Sequence, residues 1–399
     1  MSYDVARIRL DFPSLRSGWA HFDGPGGTQT PGSVAAAIGA TLIGPLSNRG
    51  TSSDSERNAE TAVEGFRLAM ADLVAGDPRG IVHGRSATQL IYDFSRHLSK
   101  QWKPGDEVLV TRLDHDSNVR PWIQAAEHVG AVARFVDFDP ATGELDPAAF
   151  AAALTDRTRL VAVTAASNLI GTMPDVRAIA DLAHAAGALV FVDGVHFTAH
   201  ELPDVQALGA DFFVCSPYKF LGPHCGVLAA SPALLETVRP DKLLPATDVV
   251  PERFEFGTLP YETLAGVTAA VDHLAGLAEA TGSRRERLDA SYRALHDHEA
   301  ALRARIDDAL ARLPEVTVHS RAARRTPTIL MTFAGREAAD VSAALATQKI
   351  LAPSHNFYAL EASRHLGLGE AGGLRVGLAP YTDDSDVERL IEALEGALA

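Results

Sequence analysis

Between about residue 65 and residue 230 the chain alternates two hydrophobic patterns. Near-continuous apolar runs, "DEVLVTRLD" (106–114), "ARFVDFD" (133–139), "TRLVAVTAAS" (158–167), "ALVFVDGV" (188–195) and "ADFFVCS" (210–216), read as strands. Runs without polar alternation suit strands that are covered on both faces. The segments between them, "RPWIQAAEHVG", "PAAFAAALT", "DVRAIADLAHAAG" and "DVQALG", carry Ala and Leu at helical spacing and predict helices. This alternation predicts an α/β domain built on a mostly parallel sheet. Ligands of such sheets sit beyond the carboxyl ends of the strands. Those ends read Asp114-His115, Ser167-Asn168, Asp193, and Ser216 to Lys219.

From about residue 260 the pattern changes. "LAGVTAAVDHLAGLAEATG" and "RRERLDASYRALHDHEAALRARIDDALARL" predict long helices with outward charges, and "TPTILMTFAG" predicts a strand. The expected organisation is an N-terminal segment (1–20) packing with a small domain and a large domain (21–265). A linking helix and a smaller C-terminal α/β domain (266–399) complete it. No internal repeat or low-complexity segment interrupts this plan.

Composition removes several function classes. The net charge is −15 and no Lys/Arg block occurs, which disfavours nucleic acid and anionic membranes as partners. No run approaches the roughly 20 apolar residues that a membrane span needs, and the N-terminus lacks a signal-peptide pattern. The two cysteines, Cys215 and Cys225, are too few for a disulfide framework or a four-thiolate metal site. No metal is expected, and the expected location is cytoplasmic.

The chemistry concentrates at "SPYKFLGPHCG" (216–226). Lys219 is either a structural cation with a packed stem or a desolvated amine that acts as nucleophile or Schiff-base former. Asp193, at the end of "FVD", either caps a helix or holds a partner that justifies burying a carboxylate. Pyridoxal phosphate chemistry needs an acid on the pyridine nitrogen and a lysine for its aldehyde, and these two residues suit both tasks. "HGRSATQLIYDFSRHL" (83–98) puts Ser86, Ala87 and Thr88 where a helix begins, as an ordinary cap or as an anion site.

The string "VDGVH…SPYKFLGPHCGVL" resembles fold-type I pyridoxal-phosphate enzymes of the class V aminotransferase group, within it the cysteine desulfurase/selenocysteine lyase-like branch. "FDGPGGTQTP" (22–31), "DHDSNVRPW" (114–122), "SNLIGT" (167–172), "FEFGT" (254–258) and "GGLRVGLAPYTDDSDVERL" (372–390) resemble further family segments in the same order. The resemblance implies a seven-stranded-type sheet in the large domain, pyridoxal 5'-phosphate as cofactor and a homodimer with shared sites. It implies that Lys219 forms the Schiff base and moves the α-proton. Asp193 would hold the pyridine nitrogen, and His115 would stack on the ring. Asn168 and His196 would lie near the phenolic oxygen; for His196 the alternative is satisfying local backbone. Ala87, Thr88 and Ser216 would hold the phosphate, with Gly257 and Thr258 from the neighbouring subunit. Arg375 would bind the substrate carboxylate, with Gly27, His355 and Asn356 on the substrate side. Arg49 is either a substrate-side residue from the partner or a plain surface cation.

Two departures bear on the reaction. Desulfurases that relay persulfide carry a cysteine on a C-terminal loop, whereas this chain has none after Cys225. Tyr218 stands before the lysine where many desulfurases have histidine, removing an imidazole beside the cofactor site. The expected activity is a lyase that eliminates a side-chain leaving group from a small amino acid without persulfide relay. The alternatives are an aminotransferase, an amino-acid epimerase and, in another class, a non-catalytic protein on the same fold.

Overall fold

The computed structural model describes residues 3–398. Its large sheet has seven strands: β1 (Ile81–Gly84), β2 (Glu107–Thr111), β3 (Val132–Val136), β4 (Thr158–Thr164), β5 (Leu189–Asp193), β6 (Phe212–Cys215) and β7 (Gly226–Ala230). Their spatial order is β1-β7-β6-β5-β4-β2-β3. Strands β2 to β6 run parallel, while β7 is antiparallel to both its neighbours, β1 and β6.

The apolar runs are near-continuous because each strand feeds two cores. Val161, Val163, Val190, Val192 and Phe213 pack into one layer, and Leu160, Ala162, Phe191, Phe212 and Val214 into the other. Cys215 and Cys225 are both free and buried in the first of these layers.

After β2 the chain moves outward to β3, then returns to place β4 on the other side of β2. That reversal opens a crevice beyond the carboxyl ends of β2 and β4, where Asp114-His115 and Ser167-Asn168 follow. The edge strand β1 and its neighbour β7 are short, each has glycine at one end, and the apolar pattern does not mark them. "DVQALG" does not form the expected helix. Asp204 accepts from the backbone of Gln206 and Ala207, and Leu208 N reaches Asp204 O at 3.0 Å, which closes a single turn.

A second sheet contains β8 (Val316–Val318), β9 (Thr328–Phe333), β10 (Ser354–His355) and β11 (Gly373–Gly377), all antiparallel, in the order β10-β11-β9-β8. The helix Arg284–Leu310 precedes it and opens with a capping box formed by Ser283 and Glu286. Ala20–His21 pairs with Ile350–Leu351, and Asp23 bridges to Gly377. The loop after Asp23 is thereby pressed on β11, and a Cβ on Gly377 would lie 2.2 Å from the Pro25 ring. Only glycine permits that approach, which carries Pro25 and Gly26 toward Lys219.

Candidate active site

Lys219 lies in a 3₁₀ turn just past β6 and is 6% exposed. Its ammonium donates to the Pro25 carbonyl, and Thr28 N and Oγ1 both reach Tyr218 O, at 3.0 and 3.1 Å. The glycine-rich N-terminal loop therefore clasps the lysine turn. Burial, with the nearby Arg375 cation, lowers the Lys219 pKa from 10.5 to about 7, against the opposing pull of Asp193. At pH 7 the neutral amine rises from about one molecule in three thousand to about half.

Asp193 ends β5 and accepts from Val195 N at 2.9 Å. Burial raises its carboxyl to about 6, so at neutral pH it is mainly a carboxylate. His115 follows β2, and its Nδ1 accepts from Ser117 N at 3.1 Å and meets Ser117 Oγ at 2.7 Å. Burial first, then the Lys219 and Arg375 cations, lower it to about 3, leaving a neutral ring. Asp114 anchors this turn, accepting from Thr111 Oγ1 and from Asn118 Nδ2 at 2.7 Å; burial pushes its carboxyl up to about 8.

Arg375, central on β11 and paired with Leu330 of β9, is 2% exposed. Its Nη1 donates to Asn168 O at 2.8 Å, its Nε has no partner, and its guanidinium lies 3.6 Å over the Phe357 ring. Burial lowers its pKa to about 9, so it remains a cation at neutral pH, ready for a bidentate carboxylate.

These residues line two connected spaces. An inner recess of about 70 Å³ is lined by Ser86, Ala87, Thr88, Asp193, His196 and Ser216, among others. An outer cavity of about 820 Å³ reaches Pro25, Gly26, Arg375, His355, Phe357 and Tyr358. Thr88, His115, Asn168, Tyr218 and Lys219 line both. Ala87 begins the helix Ala87–Ser99, and Ser86 caps it by accepting from Gln89 N at 3.0 Å. A Cβ on Gly226 would lie 2.3 Å from the Ser86 carbonyl carbon, so glycine on β7 lets that helix start drop onto the sheet.

Several of these candidates are already partly committed to protein neighbours. Asn168 donates its amide nitrogen to Phe357 O at 2.9 Å, which leaves only Oδ1 buried without a partner. His196 uses Nε2 on the Thr326 and Thr328 hydroxyls, at 3.0 and 2.8 Å, and its Nδ1 is unpartnered. Tyr218 packs on Gly27 and stacks on His224 at 4.8 Å, while Gly27 itself stays behind that ring. Asn356 shapes its loop, bonding Glu370 O at 2.8 Å and accepting from Tyr358 N at 3.0 Å.

Arg49 is held by Glu60 at 2.7 Å and Glu252 at 3.1 Å. Thr258 lines a separate cavity with His83, Arg85 and Glu255, and a Cβ on Gly257 would meet open space. Within one chain, therefore, neither Arg49 nor Gly257-Thr258 joins the Lys219 cavity.

Phe357, Tyr358 and Asp114 were not picked out from the sequence as site residues. Asp114 had a signal, an acid at a strand end directly before His115. The aromatic pair had only its place after His355-Asn356.

The class-V aminotransferase family matches residues 20–390 of this chain. The chain belongs to that family. An uncharacterized protein of Mycobacterium tuberculosis, MT3887, is 34% identical over 99% of both chains. A cysteine desulfurase of Pectobacterium atrosepticum is 30% identical over 99% of this chain and 98% of its own. The crystal structure of the Escherichia coli cysteine desulfurase CsdA superposes with a TM-score of 0.88 at 26% identity, covering 100% of this chain and 99% of that one. The seven-stranded sheet and the small C-terminal sheet are thus those of fold-type I enzymes.

Class-V aminotransferases use pyridoxal phosphate. The inner recess fits such a group on its own chemistry. It offers an amine with a lowered pKa, a buried carboxylate with one backbone partner, a helix start pressed close, and unpartnered buried atoms on Asn168 and His196. Among the described residues no cluster of three or more His, Cys, Asp or Glu is arranged to hold a metal, and no helix is long and apolar enough to cross a membrane.

Proposed function

We propose that this class-V enzyme is a pyridoxal-phosphate-dependent lyase that removes a heteroatom-linked substituent from the side chain of an α-amino acid, without a persulfide relay. The carrying observation is the outer cavity, which presents the Lys219 amine beside Arg375 and no thiol. Both cysteines are buried in the core, where burial raises their thiols, Cys225 to about 12. The loop facing Arg375 offers the Phe357 ring instead.

Ser86, Ala87, Thr88 and Ser216 would hold the phosphate, Asp193 the pyridine nitrogen, His115 a ring face and Lys219 the aldehyde carbon. When bound, the cofactor supplies delocalisation of the electron pair left at Cα. Arg375 orients the substrate by its carboxylate. Lys219 takes the Cα proton, the bond from Cβ to the heteroatom breaks with its electron pair, and the departing group gains a proton. The unsaturated amino acid left behind takes up water and yields a 2-oxo acid and ammonium. Neutral His115 packs without competing for that proton.

The test is to incubate holoenzyme with candidate amino acids and measure 2-oxo acid, ammonia and the released group. Return of the intact amino acid, with exchange and inversion at Cα, would instead support an epimerase.

A homodimer is part of this reading. Leu42, Ile43 and Phe256 are exposed apolar side chains flanking the segments of Arg49 and Gly257. Sedimentation should give the mass of two 42.3 kDa chains; a fully active single-chain particle would contradict it.

A further inference from the structure

Phe357 and Tyr358 are consecutive, bulky and both in the left-handed region, at φ +52 and +59. Three bonds hold that backbone. Asn168 Nδ2 donates to Phe357 O at 2.9 Å, Asp116 N to Tyr358 O at 2.7 Å, and Tyr358 N to Asn356 Oδ1 at 3.0 Å. The Phe357 ring is committed to Arg375. Tyr358 is not committed in that way: the residue is 73% exposed, lines the outer cavity, and its ring stacks loosely on His115, 5.7 Å away at 29°. Burial of the Tyr358 ring therefore contributes little to offset the strained backbone. Strain of this kind persists at ligand clamps.

The outer cavity that Tyr358 lines also includes Tyr92 and Gln124. Apart from Lys219 and Arg375, its charged side chains are Arg120 and Asp116, paired with each other at 2.9 Å. Arg120 is also engaged by Glu361, which Arg112 holds at 2.8 Å. No uncommitted charge there calls for an acidic or basic substituent.

We infer that Tyr358 is a specificity-determining residue, and that the outer cavity takes an α-amino acid whose β-heteroatom carries a bulky, uncharged aromatic group stacked on this ring. The inference rests on the elimination reading and specifies its substrate class. For an aryl thioether the step balances without oxidant or reductant. The Cα proton leaves, the Cβ–S bond breaks, sulfur departs as an arenethiol, and water converts the remainder to a 2-oxo acid and ammonium.

The experiment titrates holoenzyme with S-phenyl-L-cysteine, L-cysteine and S-carboxymethyl-L-cysteine. Binding is followed by the cofactor's visible absorbance, and arenethiol release is followed separately. S-phenyl-L-cysteine should bind at least about tenfold more tightly than the other two. Tyr358→Ala should erase most of that preference and Tyr358→Phe should keep it. Equal binding of all three, or an unchanged preference in Tyr358→Ala, overturns the inference. Preferential binding without release of arenethiol supports it while overturning the elimination reading.

Discussion

Lys219→Ala should reduce turnover by at least about a thousandfold and abolish the visible band of the bound cofactor. The amine lines both the inner recess and the outer cavity, where it would reach a cofactor aldehyde on one side and a substrate Cα on the other. Among the described cavity residues no second lysine can replace it. Asp193 is engaged by the Val195 N–H and the His115 pKa is lowered to about 3, so neither takes over the proton. Restored activity with an added primary amine, and none without it, would identify the missing group as the base. A variant that keeps the band would refute the assignment.

The lowered pKa adds a sign to this prediction. Below about 7 the Lys219 amine is protonated and cannot attack an aldehyde; above it the amine is free. Uptake of cofactor by the apoprotein should therefore accelerate from about pH 6 to about pH 8 and then level off. Acceleration continuing toward pH 10 would mean an ordinary, solvated lysine.

Arg375→Lys should raise KM for amino acids about 10- to 100-fold. The guanidinium offers two parallel donors to a carboxylate, and the ammonium offers one compact charge. Losing one charge-assisted hydrogen bond costs about 1.5–3 kcal/mol, and each 1.4 kcal/mol is about tenfold. Two supports act on this plane, the Phe357 ring at 3.6 Å and Asn168 O at 2.8 Å, and both match a flat group better than an ammonium. A KM within about twofold of the parent enzyme would remove Arg375 from the carboxylate site.

The inner recess was legible because sheet physics put its residues where a sequence reader looks. Lys219, Asp193 and His115 each follow an apolar run that is buried on both faces, and the fold places those ends together. The edge strand β1 and its neighbour β7 were not legible, because runs of four or five residues that include a glycine carry no period. "DVQALG" had helical spacing but too few residues to hold a helix beyond one turn. The substrate side was least legible. Phe357 and Tyr358 read as ordinary aromatics, since only the folded chain reveals their left-handed backbone and their separate ring partners. Asn168 follows an apolar run, yet its amide serves the Phe357 carbonyl, a contact across 189 positions that no local pattern reveals. The cysteines illustrate the converse, because alternation along β6 already put Cys215 on the same face as Phe213.

The central claim is catalytic elimination without a thiol relay, and counting turnovers in a Cys215→Ser/Cys225→Ser variant that retains its cofactor tests it most directly. Many equivalents of 2-oxo acid and ammonia per subunit are expected, with the cofactor's aldehyde form unchanged at the end. One equivalent of product, with stoichiometric conversion of the cofactor to its amine form and recovery only on adding a 2-oxo acid, would contradict it and make the enzyme an aminotransferase.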